Sequence, residues 1–377
     1  MTMDRRKFLE SSSALLSAAA FGAAAPLAEA EAAQTPQRKY RLVATEEAFS
    51  IPEQVEYFKR AKQTLWHDPD VGQWSVFLEL PQLIGRLLDV DKERLSIMDQ
   101  AGVDVHLLSL TSPGVQLLDA DSAVSLAELA NDRLAEMIAR HPARYAGLAS
   151  FAPQDPARAV KEIDRAINKL KLNGLIVNSH TNAEYLDNRK FWPIFEAAQA
   201  LDAAIYIHPR NPPEPAAQYL KADVNLWAAI WGFQQETGLH AMRLIISGIF
   251  DEFPKLKIVL GHAGEAVPYW LYRMDYMYLN AAAGLYKSAS GRKLKRKPSD
   301  YVKENFYITT SGMNDHAVLR YNHGVLGADH ILFAIDYPYQ ESVEACRFMN
   351  TAPLPEADVE KIAHGNAERI FRVKPAG

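Results

Sequence analysis

Cysteine is almost missing from this chain: Cys346 is the single one among 377 residues. That excludes an internal disulfide, a cysteine zinc cluster and a dithiol redox pair. Any metal must be held by oxygen and imidazole, and Cys346, with nothing beside it to activate a thiolate, reads as a packing thiol. Positive charge is also scarce. With 41 Lys and Arg against 46 Asp and Glu, the formal net charge is -5; no general field gathers phosphate backbones, and nucleic acid is not predicted as a partner. The one basic run, Arg292 to Lys297, lies between Gly291 and Pro298 and reads as a solvated loop. No segment reaches the roughly 18 uninterrupted apolar residues of a membrane span. What the chain does have is 48% hydrophobic and 23% charged positions, enough to bury one large core.

The N-terminus reads as an address. Arg5 and Arg6 open the run RRKFLE, small and apolar residues follow from Ala14 to Ala25, and Ala28-Glu29-Ala30 offers a cleavage site. A paired arginine, a short apolar stretch and an Ala-x-Ala end predict a twin-arginine signal peptide over residues 1–30. The translocase would then be a partner during export, and the mature chain periplasmic or secreted, with no membrane attachment after cleavage. An amphipathic N-terminal helix is the alternative.

From residue 31 to 377 the chain reads as a single domain. Short runs rich in Val, Ile, Leu and Ala alternate with segments of helical period, the pattern of parallel strands covered on both faces. Strands are predicted at Arg41–Glu46, Val103–Leu110, Tyr145–Phe151, Gly174–Asn178, Ala203–His208, Lys257–His262, Phe306–Ser311 and Ile331–Asp336. Helices are predicted at Ser122–Arg140, Ala157–Leu170, Lys190–Leu201 and Trp227–Phe250. Eight βα repeats in this length point to an α/β fold closed as a (β/α)8 TIM barrel. An open doubly wound sheet would place a glycine-rich turn after its first strand, where this chain reads Glu46-Glu47-Ala48-Phe49. Residues 52–88, with Trp66, Trp74 and Phe77, exceed a simple βα loop and predict an insertion over the barrel mouth.

In such a barrel the site is built where strands end. Strands one, five, six and eight close in Glu46, His208, His262 and Asp336. Alternation puts Leu42, Ala44 and Glu46 on one face, as it does Ala204, Tyr206 and His208, and Leu332, Ala334 and Asp336. Two carboxylates and an imidazole from three strands make an open shell for one divalent ion, Zn²⁺, Mn²⁺ or Mg²⁺, with positions left for water or substrate. Each residue alone has a plainer reading: a hydrogen-bonded strand-end His, or a turn-forming Asp before Tyr-Pro. Convergence is the argument for a metal.

The stretches LVATEEAFSIPE, YIHPRNP, VLGHAGE and LFAIDYPY resemble the aromatic-acid decarboxylase branch of the amidohydrolases. Within it the 2,3-dihydroxybenzoate and γ-resorcylate decarboxylases also share segments like FWPIFEAAQALDAAIYIHPRNP and QETGLHAMRLIISGIFDEFPKLKIVLGHAGE. The resemblance spans Leu42 to Phe371 and implies a barrel of the metal-dependent hydrolase type. It implies Glu46, His208 and Asp336 as metal ligands, Asp336 also as proton donor, and His262 with Glu265 as a second catalytic pair. Most amidohydrolases carry His-x-His at strand one; here Glu46-Glu47-Ala48 lacks the second ligand, as the 2,3-dihydroxybenzoate type does, which favours Mg²⁺ or Mn²⁺ over Zn²⁺. Strand four ends in Asn178-Ser179-His180 without a lysine for a bridging carbamate, so one metal is expected. Relatives assemble as dimers or tetramers, implying a homo-oligomer.

The reaction implied is non-oxidative decarboxylation of a hydroxylated aromatic acid, with no organic cofactor. Asp336 protonates the ring carbon bearing the carboxylate while the metal stabilises the ortho phenolate. Arg210 reads either as a partner for a substrate carboxylate or as half of an internal ion pair. Asn178 and His180 either line the pocket or cap the next helix, and His262 with Glu265 could be a capping pair. Trp227, Trp231 and Phe233 read as packing or subunit-contact residues. Two rival functions stand: a hydrolase of a lactone, ester or amide on the same barrel, against which the missing His-x-His argues, and a catalytically silent exported barrel.

Overall fold

The computed structural model describes residues 39–374 apart from Trp66, Pro215, Val224 and 282–292. The proposed signal peptide, Trp66 and Arg292 lie outside the described residues. Eight parallel strands run in sequence order: β1 Val43–Phe49, β2 Val105–Leu110, β3 Tyr145–Ser150, β4 Gly174–Asn178, β5 Ile205–His208, β6 Ile258–Leu260, β7 Phe306–Thr309 and β8 Ile331–Leu332. Beyond β8 the chain returns to β1: the Thr45 amide donates to Phe333 O at 3.1 Å and the Ala48 amide to Tyr337 O at 2.7 Å, closing the (β/α)8 barrel.

Strand residues are buried on both faces because the side chains alternate between two cores. Val43, Val105, Leu107, Ala146, Leu148, Ile176, Ala204, Tyr206, Val259, Tyr307 and Leu332 fill the interior together with Ala367, Ile370, Phe371 and Val373. Phe371 abuts Gly174 at the start of β4, so the C-terminal segment stops the barrel at the strand N-termini. Only the opposite end is left for a site. The outward residues Leu42, Ala44, Ile205, Ile207, Phe333 and Ile335 pack under the helical shell. Each fully buried aliphatic side chain contributes about 1.5–3 kcal/mol.

Several predicted boundaries shift. β1 runs through Glu46-Glu47-Ala48 to Phe49 rather than ending at Glu46, and β8 pairs only over Ile331–Leu332. The long helix expected at Trp227–Phe250 is broken into a 3-10 turn Ala228–Ile230, a helix Gly232–Ser247 and a short turn Ile249–Glu252. Gly248 makes the second break: at φ 76° it takes the left-handed conformation that only a residue without Cβ accepts freely. The basic run is not simply solvated: Leu294 is buried, and Arg296 and Lys297 pair with Glu304 and Asp275.

Residues 52–88 hold three helices, α1 Pro52–Thr64, α2 Pro69–Phe77 and α3 Pro81–Leu88, each opening on proline, whose missing donor costs nothing there. Asp68 caps α2 by accepting from the Asp70 and Val71 amides. Phe58 stacks on Trp74 at 4.2 Å, and these helices share a small core with Ala48 of β1 and with Tyr339. The insertion therefore sits over the open ends of β1 and β8. Among the described residues no helix is long and apolar enough to cross a membrane.

The helix Gly232–Ser247 carries two buried titratable groups against the end of β4. Ser179 donates to Glu236 Oε1 at 2.8 Å, His240 Nδ1 lies 2.9 Å from Ser179 Oγ, and His240 Nε2 accepts the Leu186 amide at 3.2 Å. An accepting Nε2 makes His240 a neutral donor through Nδ1. Burial holds His240 down to about 3 and pushes Glu236 up to about 8. A carboxyl raised in the fold from an ordinary 4.5 contributes stability that is fully present below that value and is lost as pH rises towards 8. Glu236→Gln keeps the acceptor without the proton, so we predict that its melting temperature gains on the parent's by a margin that widens from pH 5 to pH 8. A constant margin across that range in thermal melts sinks this assignment.

Candidate active site

The C-terminal ends of β1, β5 and β6 and the segment after β8 bring Glu46, His208, His262 and Asp336 together. His208 Nε2 is 3.4 Å from Glu46 Oε1, and His262 Nε2 is 3.7 Å from both Glu46 Oε1 and Asp336 Oδ2. Potential ligand atoms of Glu46, His262 and Asp336 all lie within 4.8 Å of one another. His208 approaches the same Glu46 oxygen, its ring centroid 6.4 Å from that of His262. The group of three thus holds His262 where the sequence pattern placed His208; His262 belongs with the carboxylates as well as with Glu265.

Glu46 reaches this point by an irregularity. Val43 faces the interior while Leu42 and Ala44 face the helices, so simple alternation would turn Glu46 outward. The pairing of β1 with β2 slips between Ala44 and Glu47, which resets the phase and brings Glu46 in. The face assigned to Leu42 and Ala44 was the wrong one. Gly261 makes room at the same spot: a Cβ there would lie 2.8 Å from Glu46 Oε1.

Three hydroxyls orient that carboxylate. Tyr206, Ser311 and Thr309 all donate to Glu46 Oε2, Thr309 at 3.0 Å. Buried Oε1 has no hydrogen-bond partner among the described residues. Burial alone would push the Glu46 carboxyl up, but the charges of His262 and His208 and the hydroxyls of Ser311 and Tyr206 outweigh it and hold the group below its usual value. For Asp336 burial wins over His262 and the carboxyl is raised. Tyr206, Thr309 and Ser311 were not singled out from sequence, although parity offered the signal: Tyr206 shares the face of His208, and Thr309 and Ser311 alternate at the end of β7.

Both imidazoles are turned the same way. His208 donates from Nδ1 to Pro209 O at 2.8 Å, and His262 from Nδ1 to Glu265 Oε1 at 2.7 Å, which aims each Nε2 at the carboxylates. Burial lowers His208 despite Glu46 and Asp336; His262 resists burial and is raised well above its ordinary value by Glu46 and Glu265. His262 and Glu265 do not cap a normal helix. The turn His262–Glu265 and the following Ala266 run left-handed, with φ of 49°, 57°, 79°, 52° and 62°. At about 1–2 kcal/mol per non-glycine residue, that backbone needs support, which comes from the His262 amide donating to Ser311 Oγ at 3.0 Å and the Gly264 amide to Gly261 O at 2.7 Å.

The three remaining sequence candidates have protein partners. Arg210 is buried and donates from Nε to Asp70 Oδ2 of α2 at 2.7 Å and from Nη1 to His180 O at 3.0 Å, so it takes the internal ion-pair reading. His180 uses both ring nitrogens, with Asn211 O at 2.9 Å and the Ala183 amide at 3.3 Å, and burial holds it down to about 3. Asn178 donates from Nδ2 to Gln116 Oε1 at 3.4 Å and keeps a buried Oδ1 with no partner among the described residues. Cys346 is buried within the helix Ser342–Asn350, and burial pushes its thiol up to about 12.

An amidohydrolase family model matches residues 87–373. A γ-resorcylate decarboxylase from Polaromonas sp. is 39% identical over 300 residues, covering 78% of this chain and 90% of its own length. The crystal structure of 5-carboxyvanillate decarboxylase from Sphingomonas paucimobilis superposes with a TM-score of 0.85 at 48% identity, over 89% of this chain and all of that one. A dihydroxybenzoic acid decarboxylase from Polaromonas sp., solved with manganese and the inhibitor 2-nitroresorcinol, has a TM-score of 0.77 at 36% identity, covering 90% of this chain and 98% of its own. With most of its length matched and its strand-end residues gathered as above, this chain belongs to the amidohydrolase family.

Proposed function

We propose that the chain is a metal-dependent, non-oxidative decarboxylase of a hydroxylated aromatic carboxylic acid. One observation carries the reading: two imidazole Nε2 atoms, each fixed by its own Nδ1 donor bond, face an orphaned Glu46 oxygen beside Asp336. Lone pairs and carboxylate oxygens turned towards one point suit a cation, and the outer partners Pro209 O and Glu265 are those that orient metal-binding histidines. Glu46, His208, Asp336 and, from the geometry, His262 would hold one divalent ion; manganese is bound in the solved relative, and no organic cofactor is called for. Bound there, the ion supplies Lewis-acid stabilisation of a phenolate oxygen.

The acids named for the relatives carry a ring carboxyl next to a hydroxyl, and that is the substrate class proposed here. Asp336 gives its proton to the ring carbon bearing the carboxylate; the bond to the carboxylate then breaks, its electron pair restores the ring, and carbon dioxide leaves. Tyr206, Thr309 and Ser311 keep Glu46 from rotating out of place, and Glu265 keeps His262 oriented. The helix α2, over the open ends of β1 and β8, is tied down by Asp70 through Arg210. Purified protein should release carbon dioxide from γ-resorcylate or 5-carboxyvanillate, lose at least about tenfold of that rate on chelation, and regain it with Mn²⁺. Asp336→Asn should cost roughly 10²–10⁴-fold, the range of a general acid. If a hydroxybenzoate panel yields no carbon dioxide while a lactone or ester is opened, the hydrolase reading replaces this one.

Two further proposals concern the whole chain. Residues 1–30 support twin-arginine export to the periplasm or beyond; replacing Arg5 and Arg6 with lysine should strand the protein in the cytoplasm, and unchanged fractionation overturns the assignment. A homo-oligomer, a dimer or tetramer, is supported by exposed large side chains, Trp231, Leu239, Tyr269, Trp270, Tyr272 and Tyr276. Light scattering on the purified protein should give at least twice the chain mass, and a monomer throughout the micromolar range counts against it.

A further inference from the structure

Glu47, next to the proposed ligand Glu46, is turned to the opposite side of the sheet and is fully buried. Its two oxygens are spent on backbone: Oε1 accepts the Ile335 amide at 3.0 Å and Oε2 the Tyr337 amide at 3.1 Å. The residue between those amides is Asp336. Its own amide donates to Glu46 O at 3.1 Å, and its φ is 78°, on the left-handed side that costs a residue with a Cβ.

The need for that support lies in the strand. Regular pairing of β8 stops at Leu332, four residues short of Asp336, and beyond it the backbone meets β1 only through separate bonds at Phe333, Asp336 and Tyr337. Side chains hold the groups between them. The Thr310 hydroxyl meets both the amide and the carbonyl of Ala334 at 3.1 Å, and Glu47 then holds the amides on either side of Asp336. A carboxyl group is suited to this, because both of its oxygens can accept, whereas an amide would turn one donor against another.

We infer that Glu47 is the positioning residue for Asp336: by clasping the amides of Ile335 and Tyr337 it fixes the backbone that presents the Asp336 carboxylate to Glu46 and His262. This rests on the reading of Asp336 as ligand and proton donor. In the pair Glu46-Glu47 one carboxylate thus faces the site and its neighbour builds the wall that carries the other ligand.

The test compares Glu47→Gln and Glu47→Asp with the parent and with Asp336→Asn. In the apo protein, hydrogen exchange followed by mass spectrometry should quicken in Glu47→Gln across residues 333–339 and stay unchanged in the strands on the far side of the barrel. Mn²⁺ affinity, read by electron paramagnetic resonance, should fall about 10–100-fold, the usual cost of losing an outer partner of a ligand; kcat should fall by a similar factor with KM moving less than about threefold. Wild-type exchange, Mn²⁺ affinity and kcat in Glu47→Gln overturn the inference. So does failure of both Glu47 variants to fold, which would make Glu47 a barrel-closing residue with no particular tie to Asp336. If Asp336→Asn binds Mn²⁺ and turns over like the parent, it is the role of Asp336 that fails, whatever Glu47 does.

Discussion

Closing the barrel between β8 and β1 buries two carboxylates side by side, and most of the surrounding chemistry follows from that confinement. Glu46 and Asp336 offer oxygens within 4.8 Å of each other. At an effective dielectric of about 20, two unit charges that close repel by roughly 3 kcal/mol, before the cost of taking each out of water. The chain answers with His262, which Glu46 and Glu265 favour in its protonated form until a bound cation displaces that proton, and with three hydroxyls on a single Glu46 oxygen. What it does not supply is a donor for the other oxygen, and that asymmetry gives the site its direction.

Strain enters the same region. The turn after β6 winds left-handed through His262, Ala263, Gly264, Glu265 and Ala266, and Asp336 is left-handed too. Each departure costs energy, and at His262 and Asp336 it is held by a backbone amide that bonds to Ser311 or Glu46 of the site. Ser311 is the clearest instance: its hydroxyl accepts the His262 amide and donates to Glu46. One side chain thereby links the fixed carboxylate to the strained turn, and backbone geometry and ligand geometry cannot relax separately.

Much of this was legible in the sequence and some of it could not be. The eight apolar runs and the polar residues that close them located Glu46, His208, His262 and Asp336, because a strand buried on both faces leaves a simple signature. The inward turn of Glu46 was reached by a mistaken route: alternation counted from Leu42 ignored the slip between Ala44 and Glu47, which depends on pairing with β2 and leaves no mark in composition. The short pairing of β8 was hidden because Phe333 to Ile335 are as apolar as any strand, though their backbone is held partly by side chains. For Arg210 and His180 the internal and the substrate-facing readings could not be separated, because the partners that decide it, Asp70 and Asn211, lie far along the chain. The three hydroxyls were visible only to someone who already knew which faces meet.

The stopper at the base of the barrel makes the two ends of the fold depend on each other. Ala367, Ile370, Phe371 and Val373 complete an interior whose first member is Val43. A chain cut after β8 would keep all eight strands yet leave Val43, Val105 and their neighbours facing water at the base, so the strands alone do not make a closed core.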